Sequence, residues 1–135
     1  MLEQRGFRIV KQSRIYETKP VAMPGVRDFL NLVVAADTRL SPVACLGTFR
    51  AVESTLGRGR HRRNAPRTLD LDLLMYGRQV IRGHGLTVPH PRMHERMFVL
   101  RPLADIAPGL VHPVLRRRVR TLVKTLAGRD QRNGF

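Results

Sequence analysis

The sharpest pattern in the chain is a strict alternation over residues 68–73. Leu69, Leu71 and Leu73 fall on one face of an extended segment, and Thr68, Asp70 and Asp72 on the other. A period of two predicts a half-buried strand. Residues 29–36 (FLNLVVAA) are apolar and β-branched and predict a central strand, interrupted by Asn31. Residues 7–16 predict another strand, and residues 17–28, with Pro20, Pro24 and Gly25, a loop. Residues 2–6 are short and polar and predict a turn or a remnant of helix. Ser41-Pro42 has the form of a helix start, with serine as cap and proline in the first turn. Leu46, Phe49, Val52 and Leu56 follow at helical spacing, and Gly57 is the expected stop. Residues 57–66 (GRGRHRRNAP) cannot form a regular element and predict a basic loop. A turn at Gly77 leads to a short expected strand at 80–81. Residues 114–126 predict an amphipathic helix with a basic outer face, and residues 128–135 a frayed tail.

Composition narrows the class. A chain of 135 residues with 42% hydrophobic content fits one domain, residues 1–135, with a real core. The formal net charge of +15, nearly all of it arginine, implies an anionic partner. Arginine forks match phosphate oxygens. The single cysteine, Cys45, cannot form an internal disulfide, and a reducing cytoplasm is the expected setting. Its position inside the predicted helix makes it a small buried apolar residue. No apolar run approaches a membrane span, and the first ten residues lack a signal-peptide core.

Candidate chemistry starts from the aspartates. Two carboxylates two residues apart on a strand share a face, about 7 Å apart. Both are hard oxygen ligands suited to Mg²⁺. The pair alone is equally compatible with a solvated strand face. The basic loop running directly into it tips the balance, because phosphate clamps beside metal ligands suit polyphosphate chemistry. His90 and His94 stand at i,i+4, a spacing zinc sites use, but Pro91 intervenes and no cysteine ligands accompany them. Asn31 is either a satisfied core amide or a reader aimed into a pocket. Glu53, one position from the apolar stripe, has the ordinary reading of a surface charge.

Four blocks stand in order: SRIYETKP, FLNLVVAADT, VESTLGRGRHRRNAPRTLDLDLLMYG and LTVPHPRMHERMFVLRPLADIAPGLVHP. Together they resemble the 6-hydroxymethyl-7,8-dihydropterin pyrophosphokinases of folate biosynthesis, over nearly all of residues 13–113. The resemblance implies transfer of pyrophosphate from ATP to the pterin hydroxymethyl group, with release of AMP. It implies two Mg²⁺ ions on Asp70 and Asp72. It places Arg58 and Arg67 on phosphates as catalytic residues, with Arg60, His90 and Arg96 also on the nucleotide side. Glu53 and Thr87 match nucleotide-contacting positions. Asn31 matches the amide that reads the pterin edge, Phe29 and Phe98 the rings that sandwich it, and Thr18, Lys19, Pro20 and Val21 the loop lining its pocket. The expected partners are ATP and the pterin. A cytoplasmic monomer is expected, with neither nucleic acid nor membrane.

The implied fold class is α+β: a ferredoxin-like β-α-β-β-α-β sandwich with extra C-terminal helices. The chain departs from the family pattern at its start, where a strand, a Gly-Ser-Asn turn and most of a helix are missing. That strand is expected between the Asp-bearing strand and its neighbour, so the domain is expected to be incomplete, with the true start upstream. Two smaller departures are Asn64 near a position where some members carry tryptophan, and Ala22 where glycine is frequent. Two other functions compete: a noncatalytic relic of the same family, and a basic RNA-binding domain. The second lacks the aromatic strand motif of RNA-reading sheets.

Overall fold

A computed structural model of the chain describes residues 1–18, 29–58, 69–83 and 85–132. It is a mixed α and β structure of three two-stranded antiparallel sheets and three helices among those residues. After a short 3₁₀ turn, Glu3–Arg5, Gly6 turns the chain at φ 99° into β1, Phe7–Gln12. Strand β2 is Tyr16–Thr18, β3 is Phe29–Asn31 and β4 is Val34–Thr38. β1 pairs with β4, and β2 with β3.

Each of the two long strands expected at 7–16 and 29–36 is thus cut in two. The cause is Ser13, 5% exposed. Its amide donates to the Val33 carbonyl at 2.9 Å, while its hydroxyl accepts the Val33 amide at 2.9 Å. A side chain replaces one rung of the ladder, and the register between the same two segments shifts by one residue across it. The hydrophobic pattern carries no trace of this exchange. β4 is also not central among the described residues, since β1 is its sole ladder partner.

Helix α1, Pro42–Arg58, starts as its cap requires: the Ala44 amide donates to Ser41 Oγ at 3.1 Å. Cys45, Phe49 and Val52 are buried, and the Phe49 ring stacks on Phe7 with centroids 5.5 Å apart. The stripe runs out at Leu56, which is exposed.

Residues 69–76 are the main correction. The strand expected at 68–73 has no ladder; residue 68 lies outside the described residues, and 69–76 join no sheet. The alternation survives as burial at Leu71 and Leu73 but not at Leu69, which is exposed. Leu71 and Leu73 pack on Phe7, Cys45 and Phe49, while Asp70 and Asp72 are exposed. A period of two reports which side faces the core, not whether a neighbouring backbone is present.

Gly77, at φ 56°, then turns the chain. β5, Ile81–Gly83, begins one residue beyond the expected 80–81 and forms a hairpin with β6, Leu86–Val88. The Val88–Pro89 bond is cis. A 3₁₀ turn, Met93–Glu95, precedes α2, Met97–Ile106. Helix α3 spans Val119–Arg132, shifted from the expected 114–126. Residues 111–118 form a turn instead, closed by a bridge between Val111 and Arg118, with Arg116 at φ 57°. Val119 and Leu122 face inward, and Arg120 and Lys124 outward. The helix takes in residues 128–132 of the stretch expected to fray, and 133–135 lie outside the described residues. Met93, Leu103 and Val119 form a second core cluster, on which Val33, Leu74 and Met75 pack. Among the described residues no helix is long and apolar enough to cross a membrane.

The turn before α3 carries a pH-sensitive joint. His112 is 5% exposed, and its Nδ1 accepts the amides of Val114 at 3.2 Å and Leu115 at 3.1 Å. Burial, and then the charge of His94, hold its pKa below the ordinary 6.5. Protonating Nδ1 would set a hydrogen against two donors. The unfolded chain therefore takes up its proton first as pH falls. This contribution is complete above about 6.5 and is lost as pH drops through the lower folded-state value. The melting temperature is expected to be flat above pH 7 and to fall towards pH 5. The slope should shrink in His112→Asn, whose side-chain oxygen can still accept. Thermal melts from pH 5 to 8 check this.

Candidate functional site

The site is built on the segment carrying the two aspartates. With no ladder among the described residues, it is held by apolar side chains and by polar ties, Tyr76 donating its hydroxyl to the Leu40 carbonyl among them. The Leu71 amide donates to Glu53 Oε2 on α1 at 2.7 Å, and the His90 amide donates to the Leu74 carbonyl at 2.7 Å. Asp70 and Asp72 both open on a cleft of about 590 Å³. One wall is residues 32–38, the other residues 70–77, with Cys45 and Phe49 of α1 and Leu103 and Ile106 of α2 closing it. Consecutive residues line both walls without skipping alternate positions. A strand's face would present every second residue, so these walls are backbone edges.

Among the described residues neither Asp70 nor Asp72 accepts a hydrogen bond or joins an ion pair. Two unengaged, exposed carboxylates fit a hard divalent cation. The described residues contain no cluster of three or more His, Cys, Asp or Glu that would make an all-protein cage. Two hard oxygen donors are the kind Mg²⁺ takes, since it keeps several waters and is bound by one or two carboxylates together with phosphate oxygens.

Beside the aspartates stands His90, half-buried between β6 and the 3₁₀ turn. Its Nδ1 accepts the Arg92 amide at 3.2 Å, which leaves Nε2 to carry the proton as a donor. Burial is the main cause holding its pKa below the ordinary value. The Asp72 charge works against that, and Arg96 and Arg92 reinforce it. The Arg96 guanidinium lies over the Phe98 ring, 5.7 Å from its centroid. Phe98, in the first turn of α2, is 42% exposed, enough for a flat ring to cover it. α2 in turn packs on β3, which carries Asn31.

The structure thus brings Asp70, Asp72, His90 and Arg96 into one neighbourhood and ties Glu53 to it through Leu71. Arg58 is the last residue of α1. Thr18 and Phe29 stand opposite each other in the β2–β3 ladder, and Asn31 stands opposite Tyr16. Thr87 is exposed on β6, opposite Arg82. Lys19, Pro20, Val21, Arg60 and Arg67 lie outside the described residues.

One group escaped the sequence reading. Tyr16 donates its hydroxyl to Asp105 at 2.8 Å, and Arg14 bridges the same carboxylate at 3.3 Å. Hydrogen bonds from Arg14 and then Tyr16 hold the Asp105 carboxyl below the ordinary range. This network fastens β2 to α2 beside Asn31. Tyr16 and Asp105 are 89 residues apart in the chain, so spacing offered no signal.

Asp70 and Asp72 line this cleft, and the charges of Asp72 and Arg96 both act on His90; carboxylates, an imidazole donor and a guanidinium so grouped suit phosphoryl chemistry. The chain belongs to the 7,8-dihydro-6-hydroxymethylpterin-pyrophosphokinase (HPPK) family, which it matches over residues 1–108. It is 48% identical over 104 residues to the 2-amino-4-hydroxy-6-hydroxymethyldihydropteridine pyrophosphokinase of Bacillus subtilis, covering 77% of this chain and 62% of that protein. The Haemophilus influenzae protein of the same name is 43% identical over 105 residues, 78% of this chain and 66% of its own length. A folic acid synthesis protein of Pneumocystis carinii, fol1, is 42% identical over 110 residues, 82% of this chain and 15% of its own length. The chain therefore spans less than two thirds of each of these relatives.

Proposed function

We propose that this chain transfers pyrophosphate from ATP to 6-hydroxymethyl-7,8-dihydropterin. The pterin hydroxyl oxygen bonds to the β-phosphorus, the bond between that phosphorus and the α-β bridging oxygen breaks, AMP leaves, and the hydroxyl proton is released. The observation that carries this reading is the unengaged Asp70 and Asp72 pair opening beside His90 and Arg96 in a chain of the HPPK family. Two magnesium ions, when bound, would neutralise the triphosphate and polarise the β-phosphoryl group. Asp70 and Asp72 hold them. His90 Nε2–H and Arg96 hold phosphate oxygens, and Arg58, Arg60 and Arg67 supply further clamps. Thr87 is assigned to the nucleotide side, and Glu53, which the resemblance also matched there, holds the Leu71 amide. Asn31 offers a donor and an acceptor to the pterin edge, Phe29 and Phe98 stack on its faces, and residues 18–21 line its pocket. Most of the barrier is lowered by placing the hydroxyl in line with a neutralised triphosphate.

We read the fold as a ferredoxin-like sandwich in which a further strand belongs in the cleft between β4 and residues 70–77. The support is the pair of backbone edges facing each other across it. A second reading, a chain that keeps the pocket but lacks turnover, draws on the unladdered state of residues 69–76. A cytoplasmic monomer acting on small molecules, with no nucleic-acid partner, completes the proposal.

The test is AMP formation that requires both the pterin and a divalent cation, and that stops on chelation. Cooperative melting with tight nucleotide binding but no AMP favours the second reading. Phe98→Ala is expected to raise the pterin KM about tenfold, since stacking on an aromatic ring contributes about 1–3 kcal/mol. The KM for ATP should move little. Initial rates with each substrate varied in turn check it.

A further inference from the structure

We infer that Glu53 is a positioning residue that sets the register of the two aspartates, through the amide of Leu71. The inference rests on the pyrophosphokinase reading for its consequence, but its geometry stands alone. Leu71 lies between Asp70 and Asp72, and its amide donates to Glu53 Oε2 at 2.7 Å. Elsewhere in a sheet, ladder bonds would fix which residues face which way. Among the described residues, 69–76 have no ladder. A slip of one residue in such a segment exchanges its two faces, turning both carboxylates inward and two leucines outward.

Glu53 is well placed to prevent that slip. It is half-buried and follows Val52, 2% exposed, on a helix whose Phe49 and Cys45 are also buried. Its backbone is therefore held by the first core cluster, the same cluster on which Leu71 and Leu73 pack. Glu53 thereby commits one carboxylate oxygen to the backbone between the two aspartates. Its acidity serves the backbone between the ligands rather than the ligand set.

The test compares the wild-type chain with Glu53→Ala, Glu53→Gln and Glu53→Asp. Gln keeps an acceptor at the same reach, whereas Asp keeps the charge but withdraws it by one methylene. Amide hydrogen exchange at Leu71, in the absence of ligands, is expected to quicken about tenfold or more in Ala and Asp. Gln should stay within about threefold of wild type. Mn²⁺ binding followed by calorimetry should weaken in the same order, and kcat should fall with it while the pterin KM holds. If Ala does not fold, Asp against Gln decides. Unchanged exchange at Leu71 overturns the inference. So does unchanged Mn²⁺ affinity with a raised KM for ATP alone, which would make Glu53 a nucleotide contact. A wild-type chain that forms no pterin-dependent AMP sinks the proposed function instead, and leaves the exchange and Mn²⁺ results to decide on Glu53.

Discussion

Asp72→Ala is expected to lower AMP formation by about a thousandfold or more while leaving the fold intact. A divalent cation on a transferring phosphoryl group contributes several kcal/mol of charge stabilisation. Each tenfold in rate corresponds to about 1.36 kcal/mol, so the loss of one of two carboxylate ligands reaches that range. Asp70→Ala should behave alike. Stability should change by no more than about 0.5 kcal/mol, the usual range for an exposed site. Both side chains are exposed and neither supports a described contact. Asn at either position keeps an oxygen but loses the charge, and should recover only part of the rate at high Mg²⁺. Initial rates over a Mg²⁺ titration, beside urea melts of the same proteins, make the comparison. Activity within tenfold of wild type in both alanine variants would remove the metal assignment.

The largest expected effect on stability is at Met93. Its side chain is 0% exposed and joins Leu103 and Val119 in the second core cluster, with Leu74 and Met75 packed against it. Met93→Ala leaves a cavity and is expected to cost about 2–5 kcal/mol. Against a total of about 5–15 kcal/mol, that is a large share. Leu74 and Met75 lie two and three residues after Asp72, so the cavity also loosens the segment that carries the aspartates. Weaker Mn²⁺ binding should therefore accompany the lower urea midpoint. Val43→Ala, at a residue 60% exposed, should shift the midpoint hardly at all. A Met93→Ala midpoint equal to wild type would contradict the two-cluster core.

The features legible in the chain were local ones. Ser41 and Pro42 announce α1 because capping acts within one turn. The burial of Cys45 follows from its place beside Phe49 on a helix. Leu71 and Leu73 face inward, as their alternation requires. The four sequence blocks carried the family, and with it the candidate ligands.

What escaped was non-local or a matter of competition for hydrogen bonds. Ser13 and Val33 lie 20 residues apart, and only their meeting splits both long strands. Val119, not the expected residue 114, begins α3, because the turn around His112 captures the preceding amides. Tyr16 and Asp105 meet only through the packing of α2 on β2. Glu53 illustrates the division. The sequence by itself determined a carboxylate at the edge of an apolar helical stripe, and two more on one face of an alternating run. Only the tertiary structure decided that the first would hold the backbone between the other two. A hydrogen bond across 18 residues depends on where two packed elements come to rest, and no periodicity encodes that.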